Sequence, residues 1–187
     1  MMAAKSTLKN MVLCLVSVCL VCSALLAVVY HVTKGPIEKT NEANKSKAVA
    51  LVVPGFDAAP VLGNVQFDGK AYPYYTVTKG GRVVGYAIQS ATIGFGGPLT
   101  LMVGFTPDGK VYNTAVLQHS ETPGLGTKCT SDRKFIDQFK GFDPSSKQLA
   151  VSKDGGDVDA ITASTITSRA YTLAIRNAFE AYKLIRR

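Results

Sequence analysis

The sequence has few residues of the types that hold metal ions or iron–sulfur clusters. Its 187 residues include four cysteines and two histidines. Three cysteines lie in one apolar run near the N-terminus, so Cys129 stands alone in the remainder. That remainder can form no internal disulfide and no cysteine-rich cluster site. His31 and His119 are too far apart for a histidine-based metal spacing. We therefore predict no metal site.

A basic stripe with interleaved aromatic residues is also missing. The formal net charge is +8, but the Lys and Arg residues are dispersed along the chain. Nucleic-acid binding therefore has little support, because a protein of that class gathers its positive charge on one face or along one helix.

One long apolar run is present, from residue 11 to residue 32, without a charged side chain. It is long enough to cross a bilayer core of about 30 Å at about 1.5 Å per residue. An uncleaved anchor fits better than a signal peptide, whose apolar region is shorter, and the cysteines in the run do not match a lipoprotein signal. We expect a cytoplasmic tail over 1–10, a transmembrane anchor over 11–32 and the C-terminal domain outside the cytoplasm. Lysines flank both ends of the run, so charge alone does not fix the orientation.

The rest of the chain predicts an α+β domain with a twisted antiparallel sheet, one face of it buried, and flanking helices. A membrane-proximal linker helix is expected over 33–55, ended by Pro54-Gly55, and one domain over 56–187. Gly80-Gly81 and Pro107-Asp108-Gly109 mark two hairpins. Their strands are expected over 72–78, 82–90, 99–106 and 110–118. Further predictions are a helix over 132–140, a short strand over 149–151, and an amphipathic final helix that follows Ser168 and buries Leu173.

Hydroxyl side chains crowd the segment before the final helix. Residues 159–168 read Asp-Ala-Ile-Thr-Ala-Ser-Thr-Ile-Thr-Ser. The first N–H groups of a helix lack intrahelical partners and lie at the positive end of its dipole, so they can seat a phosphate. A Thr hydroxyl there could even carry the phosphate covalently. The alternative is an extended N-cap without a ligand.

A second unusual segment is the loop over 119–126, which reads His-Ser-Glu-Thr-Pro-Gly-Leu-Gly. Backbone spaced by glycine beside an exposed apolar side chain suits a planar heterocycle, which needs close approach and one apolar face. The alternative is a surface turn fixed by Thr-Pro-Gly. Between the hairpins, residues 94–98 read Gly-Phe-Gly-Gly-Pro and allow a close backbone approach.

These segments resemble a known family. The loop over 119–126 resembles that of RnfG, a subunit of the Rnf electron-transport complex, and is similar to that of NqrC, from the sodium-pumping NADH:quinone reductase. The glycine-rich connection over 94–98 also resembles that family. Residues 159–165 resemble its flavinylation motif, Asp-Gly-x-(Ser/Thr)-Gly-Ala-Thr, with Ala160, Ala163 and Ser164 as departures. The single N-terminal span and the chain length match RnfG, whereas NqrC relatives tend to be longer.

The resemblance implies one FMN per chain, held by a phosphoester to Thr165, with Ser164 a competing hydroxyl beside it. It implies Leu125 against the ring, Thr122 near its polar edge, and Thr167 with Ser168 near the phosphate. His119 and Glu121 either contact the cofactor or brace the loop. The predicted FMN-binding residues are Thr165, Asp159, Thr162, Ser164, Thr167, Ser168, His119, Glu121, Thr122, Gly124, Leu125, Gly126 and Gly97.

The resemblance further implies an electron carrier in a membrane complex, not catalytic alone, with other Rnf subunits as partners. Electrons would flow between ferredoxin and NAD with coupled sodium or proton movement. A separate flavin transferase, using FAD and Mg²⁺, would attach the cofactor. Two alternatives stay open. One is the NqrC role in quinone reduction, and the other is a membrane-tethered adaptor domain without a cofactor.

Overall fold

The computed structural model describes residues 7–186. The chain divides into two compact units, Met1–Ala43 and Asn44–Arg187. Helix α1 spans Leu8–Val52, and its apolar part is long and apolar enough to cross a membrane. The predicted anchor falls within α1, as does the linker helix up to Val52. Residues 1–6 of the predicted cytoplasmic tail lie outside the described part of the chain, and the boundaries of the anchor, linker and domain remain predictions.

The second unit is built on a five-stranded antiparallel meander in the order β1-β2-β3-β4-β5. The strands are β1 Val61–Phe67, β2 Lys70–Lys79, β3 Arg82–Ile93, β4 Pro98–Phe105 and β5 Val111–His119. The last four strands were predicted from the sequence, and β1 was not. Asp68 and Gly69 join β1 to β2 with φ angles of 50° and 69°. Two successive positive φ angles are the signature of a tight hairpin turn.

Short helical segments and one long helix follow the sheet. They are α2 Lys128–Ser131, α3 Arg133–Ile136, the 3₁₀ turns Asp137–Phe139 and Ser152–Asp154, and α4 Thr165–Ile185. The helix predicted over 132–140 is therefore α3 plus a 3₁₀ turn. The strand predicted over 149–151 is wrong, because only Val151 bridges, to Val158.

Both faces of the sheet are covered, which corrects the expectation of one buried face. On one face, Tyr171 and Ile175 of α4 and Phe139 of the first 3₁₀ turn form one core cluster with Leu101 and Phe105 of β4. On the other face, residues 48–53 pack against a smaller cluster. That cluster is Val77, Ala87 and Met102. A strand buried on both sides reads as a continuous apolar run, as β4 does.

Helix α4 begins earlier than expected and buries a different stripe. It starts at Thr165, with Ser164 as its N-cap, so the hydroxyls at 165, 167 and 168 lie in its first turn. Leu173, expected in the core, is 37% exposed, whereas Ala170, Ala174 and Ala178 are buried. The start of α4 is thereby placed beside the ends of β3 and β5, where the site forms.

Candidate functional site

A cavity of about 290 Å³ lies where the loop after β5, the β3–β4 connection and the first turn of α4 meet. This volume is near the lower end of the range for ligand pockets, about 300–1,000 Å³. Ten residues line the cavity, and Glu121 is the one charged side chain among them. The lining consists of Phe95, Glu121, Thr122, Leu125, Gly126, Ala163, Ser164, Thr165, Ile166 and Thr167.

The first turn of α4 presents polar donors to this cavity. Ser164 caps the helix with a non-helical backbone, and its side chain makes no capping hydrogen bond. The Ser168 N–H is bonded to the Ser164 carbonyl at 3.0 Å, while the N–H groups of residues 165–167 have no bonded acceptor within residues 7–186. Free N–H groups at the positive end of a 21-residue helix form an anion seat.

The hydroxyls of the turn fall into two groups. Ser168 is fully buried, and its Oγ accepts from the Ile161 N–H at 2.9 Å and donates to the Ser164 carbonyl at 3.0 Å. Thr167 Oγ1 donates to Glu121 at 2.7 Å. The hydroxyls of Ser164 and Thr165 have no hydrogen-bond partner in the described part of the chain. Ser164 and Thr165 therefore keep hydroxyls open to the cavity, whereas Thr167 and Ser168 hold the backbone around it.

Glu121 joins the loop over 119–126 to both other elements. It is 5% exposed. Its Oε1 accepts from the Phe95 N–H at 3.0 Å, and its Oε2 accepts from Thr167. A Cβ on Gly94 would overlap Oε1, and a Cβ on Gly126 would lie 2.5 Å from Oε2. The glycines of both segments are therefore required because the carboxylate fills the space that a side chain would need.

The mouth of the cavity is apolar. Phe95, Leu125 and Ile166 are 67%, 44% and 50% exposed, and all three line the cavity. Exposed apolar side chains grouped in this way mark a binding surface rather than random surface variation. Open hydroxyls and free N–H groups beside an apolar mouth fit a phosphate joined to a flat ring. The residues of the site therefore fit FMN in the chemistry of their donors and in the apolar side chains at the mouth.

Several predicted site residues lie outside the lining. The His119 Nδ1 accepts from the Glu121 N–H at 3.3 Å. Asp159 accepts from Ser152 Oγ at 2.8 Å, and its backbone pairs with the Gln138 side chain. Gly97, Gly124 and Thr162 also stand outside the lining. Thus the structure brings together seven of the predicted residues, while His119 and Asp159 brace neighbouring backbone. The seven are Glu121, Thr122, Leu125, Gly126, Ser164, Thr165 and Thr167.

Three lining residues were missed in the sequence, namely Phe95, Ala163 and Ile166. Ala163 has a φ of 62°, the left-handed conformation that glycine adopts most easily. The family motif has glycine at this position, and the replacement of that glycine by Ala163 was the one signal in the sequence for a left-handed backbone there. Ile166 is an apolar residue among hydroxyls, and its exposure follows from the early start of α4, which the sequence pattern did not reveal.

Buried groups next to the site have altered acidity. Burial, together with the negative charge of Glu121, raises the pKa of the Cys129 thiol to about 11. Burial also raises the pKa of Tyr171, although the hydrogen bond with Thr114 opposes the rise. At the surface, the hydrogen bond from Arg169 lowers the pKa of Asp154, and the two side chains form a bidentate pair with both distances at 2.7 Å. Cys129 is therefore a protonated core residue at neutral pH.

Residues 94–180 match the FMN-binding domain family, which defines the class of protein. The chain is 31% identical over 165 residues to the G subunit of the proton-translocating ferredoxin:NAD(+) oxidoreductase complex of Clostridium ljungdahlii, covering 87% of this chain and 84% of that protein. It is also 31% identical over 184 residues to the G subunit of the ion-translocating oxidoreductase complex of Methanosarcina acetivorans, covering 96% of each. The chain belongs to the RnfG family, the G subunits of the ion-translocating (Rnf) oxidoreductase complexes.

A solved structure supports the fold. The C subunit of the Na(+)-translocating NADH-quinone reductase of Parabacteroides distasonis aligns with a TM-score of 0.57 at 21% identity, covering 80% of this chain and 95% of that one. The predicted α+β fold with an antiparallel sheet and the resemblance to the RnfG family are thus confirmed.

Proposed function

We propose that this chain is an electron-carrier subunit of a membrane-bound Rnf complex, with one FMN joined through a phosphoester to Thr165. The observation that carries the proposal is the open Thr165 hydroxyl at the start of α4, next to free N–H groups and beneath an apolar mouth. FMN supplies the redox chemistry, and the protein holds it and sets its potential.

The chain's own residues divide the work of holding the cofactor. Thr165 would carry the ester, and the N–H groups of the first turn of α4 would hold the phosphate. Leu125 would supply an apolar contact to the ring, and Thr122 a polar one. Because no Lys or Arg among residues 7–186 lines the cavity, no side-chain cation from that part of the chain would hold the phosphate there. The covalent bond therefore supplies a large part of the retention.

Attachment requires a separate flavin transferase with FAD as donor. The Thr165 oxygen forms a bond to the phosphorus of the FMN half, the pyrophosphate bond breaks, AMP leaves, and the hydroxyl proton goes to solvent. The Mg²⁺ that this reaction needs belongs to the transferase, and we assign no metal to this chain.

The same proposal covers location and partners. The apolar part of α1 is a single-pass anchor in the cytoplasmic membrane, and the FMN-binding domain lies on its outer side. Other Rnf subunits exchange electrons with the flavin, between ferredoxin and NAD, coupled to ion movement. Curated relatives are named as G subunits of ion-translocating complexes, which supports this assignment.

The proposal is tested by fluorescence after denaturation. Full-length protein made together with its transferase is run on an SDS gel and viewed under ultraviolet light. Wild type is expected to give a fluorescent band, and Thr165→Val a dark band with the same expression, because the valine has the shape of threonine without the hydroxyl. Thr130→Val is the matched control, since Thr130 is exposed and lies outside both the motif over 159–165 and the cavity lining. A dark wild-type band would favour the adaptor function instead.

A further inference from the structure

We infer that Glu121 is a positioning residue for the Thr165 hydroxyl, which it holds at the cavity by tying the first turn of α4 to the β3–β4 connection. The inference rests on the proposed role of Thr165 as the FMN acceptor. Glu121 acts through its hydrogen bonds to Phe95 and Thr167 and does not itself contact the cofactor.

The geometry of the two hydrogen bonds carries the inference. Phe95 and Thr167 lie 26 and 46 residues from Glu121 along the chain, and both donate to its carboxylate, at 3.0 Å and 2.7 Å. Thr167 is two residues beyond Thr165 in the same helical turn. A fixed Thr167 side chain therefore fixes the rotation of that turn and the direction in which the Thr165 hydroxyl points.

The space around Glu121 is matched to its size. Side chains on Gly94 or Gly126 would collide with its carboxylate, so two glycines make room for this one group. Aspartate is one methylene shorter and cannot reach both donors from the same backbone. Glutamine has the same length, and its carbonyl can accept from Phe95 while its amide donates to the Thr167 oxygen.

Glu121 has no charged partner within residues 7–186. Both of its oxygens accept hydrogen bonds, and it forms no ion pair in that part of the chain. A buried charge without a cation is costly and needs hydrogen bonds to hold it. Because the neighbours are a backbone N–H and a hydroxyl, a neutral side chain of the same shape should position Thr165 equally well.

The test measures the rate of FMN attachment to the full-length chain by intact mass, with transferase, FAD and Mg²⁺ supplied, together with the melting temperature. Glu121→Ala is expected to slow attachment at least about tenfold, because it removes both hydrogen bonds that fix the first turn of α4. Glu121→Asp should also be slow, whereas Glu121→Gln should stay within about twofold of wild type. Glu180→Ala, a glutamate far along the surface of α4, is the control.

Thr167→Val removes the hydroxyl that donates to Glu121 and keeps the side-chain volume. It therefore replaces Glu121→Ala as the test variant if Glu121→Ala does not fold. It should slow attachment. Combining it with Glu121→Ala should slow attachment little further, because both changes remove the same hydrogen bond between Thr167 and Glu121. Attachment to Glu121→Ala or Thr167→Val at the wild-type rate would overturn the positioning role. Glu121→Gln as slow as Glu121→Ala would overturn it too, in favour of a role for the charge. A wild-type chain that accepts no FMN would overturn the proposed function itself.

Discussion

Ala163 occupies a backbone conformation that favours glycine, and replacing it should stabilise the protein. Its φ is 62°, at a turn that lines the cavity just before α4. The left-handed conformation costs a residue with a Cβ about 1–2 kcal/mol. Glycine loses more conformational entropy on folding than alanine, which destabilises the variant by about 0.4–1 kcal/mol and offsets part of the gain from removing the Cβ. The net expectation for Ala163→Gly is a gain of about 0.5 kcal/mol.

Ala160→Gly is the matched control in the same segment. Ala160 does not have a positive φ, so glycine there brings only the entropic cost and destabilises by about 0.4–1 kcal/mol. The two variants should differ by about 1–1.5 kcal/mol in the free energy of unfolding. For a chain of this size that is a difference of about 2–6 °C in melting temperature.

Thermal unfolding of both full-length variants in the same detergent measures the difference directly. Equal shifts in the same direction would refute the strain at Ala163. The Ala163→Gly chain should also accept FMN, because the change removes a methyl group from the cavity lining and adds nothing.

Two further predictions concern Leu125 and Cys129. Leu125→Ala should change the flavin potential in a redox titration and leave the free energy of unfolding within about 0.5 kcal/mol of wild type. Leu173→Ala is the control, because Leu173 is similarly exposed but lies outside the lining, and it should leave the potential unchanged. Equal potentials in both variants would contradict a contact between Leu125 and the flavin ring. The pKa of Cys129 is raised to about 11 in the folded protein, so the unfolded thiol ionises first as pH rises. Its contribution to stability is complete below its unfolded pKa of about 9 and is lost as pH rises through about 11, at about 1.4 kcal/mol per pH unit and about 3 kcal/mol in all. In urea unfolding between about pH 8 and about pH 11, the free energy of unfolding should fall more in wild type than in Cys129→Ala, by the amount just given. Equal falls in the two proteins would contradict the raised pKa of Cys129.

Local signals in the sequence predicted most of the sheet, and their limits explain the errors. Turn residues predicted the two hairpins from β2 to β5, because glycine and proline punctuate strands strongly. β1 was missed although Asp68-Gly69 is a strong turn signal, because its strand has a weak alternating pattern, with Val61 and Leu62 exposed. The second covered face of the sheet depends on residues 48–53, and long-range packing of that kind leaves no local pattern.

The sequence predicted which segments form the candidate site, but it did not predict the contacts between them. Hydroxyls at a helix start and a glycine-spaced loop pointed to a phosphate and a ring, and the structure puts those segments around one cavity. The bond between Thr167 and Glu121 joins residues 46 apart, so no spacing rule reveals it. The early start of α4 likewise follows from tertiary packing, which overrides local propensity. The left-handed backbone at Ala163 was signalled only by the glycine that the family motif has there.

The mass of one peptide tests most directly whether FMN is joined to Thr165. Full-length protein made with its transferase is digested, and the peptide containing residues 154–169 is weighed and fragmented. We expect the mass of FMN less one water, with the fragments assigning it to Thr165. That peptide at its unmodified mass, from a chain whose maturation enzyme is present and active, would contradict the account.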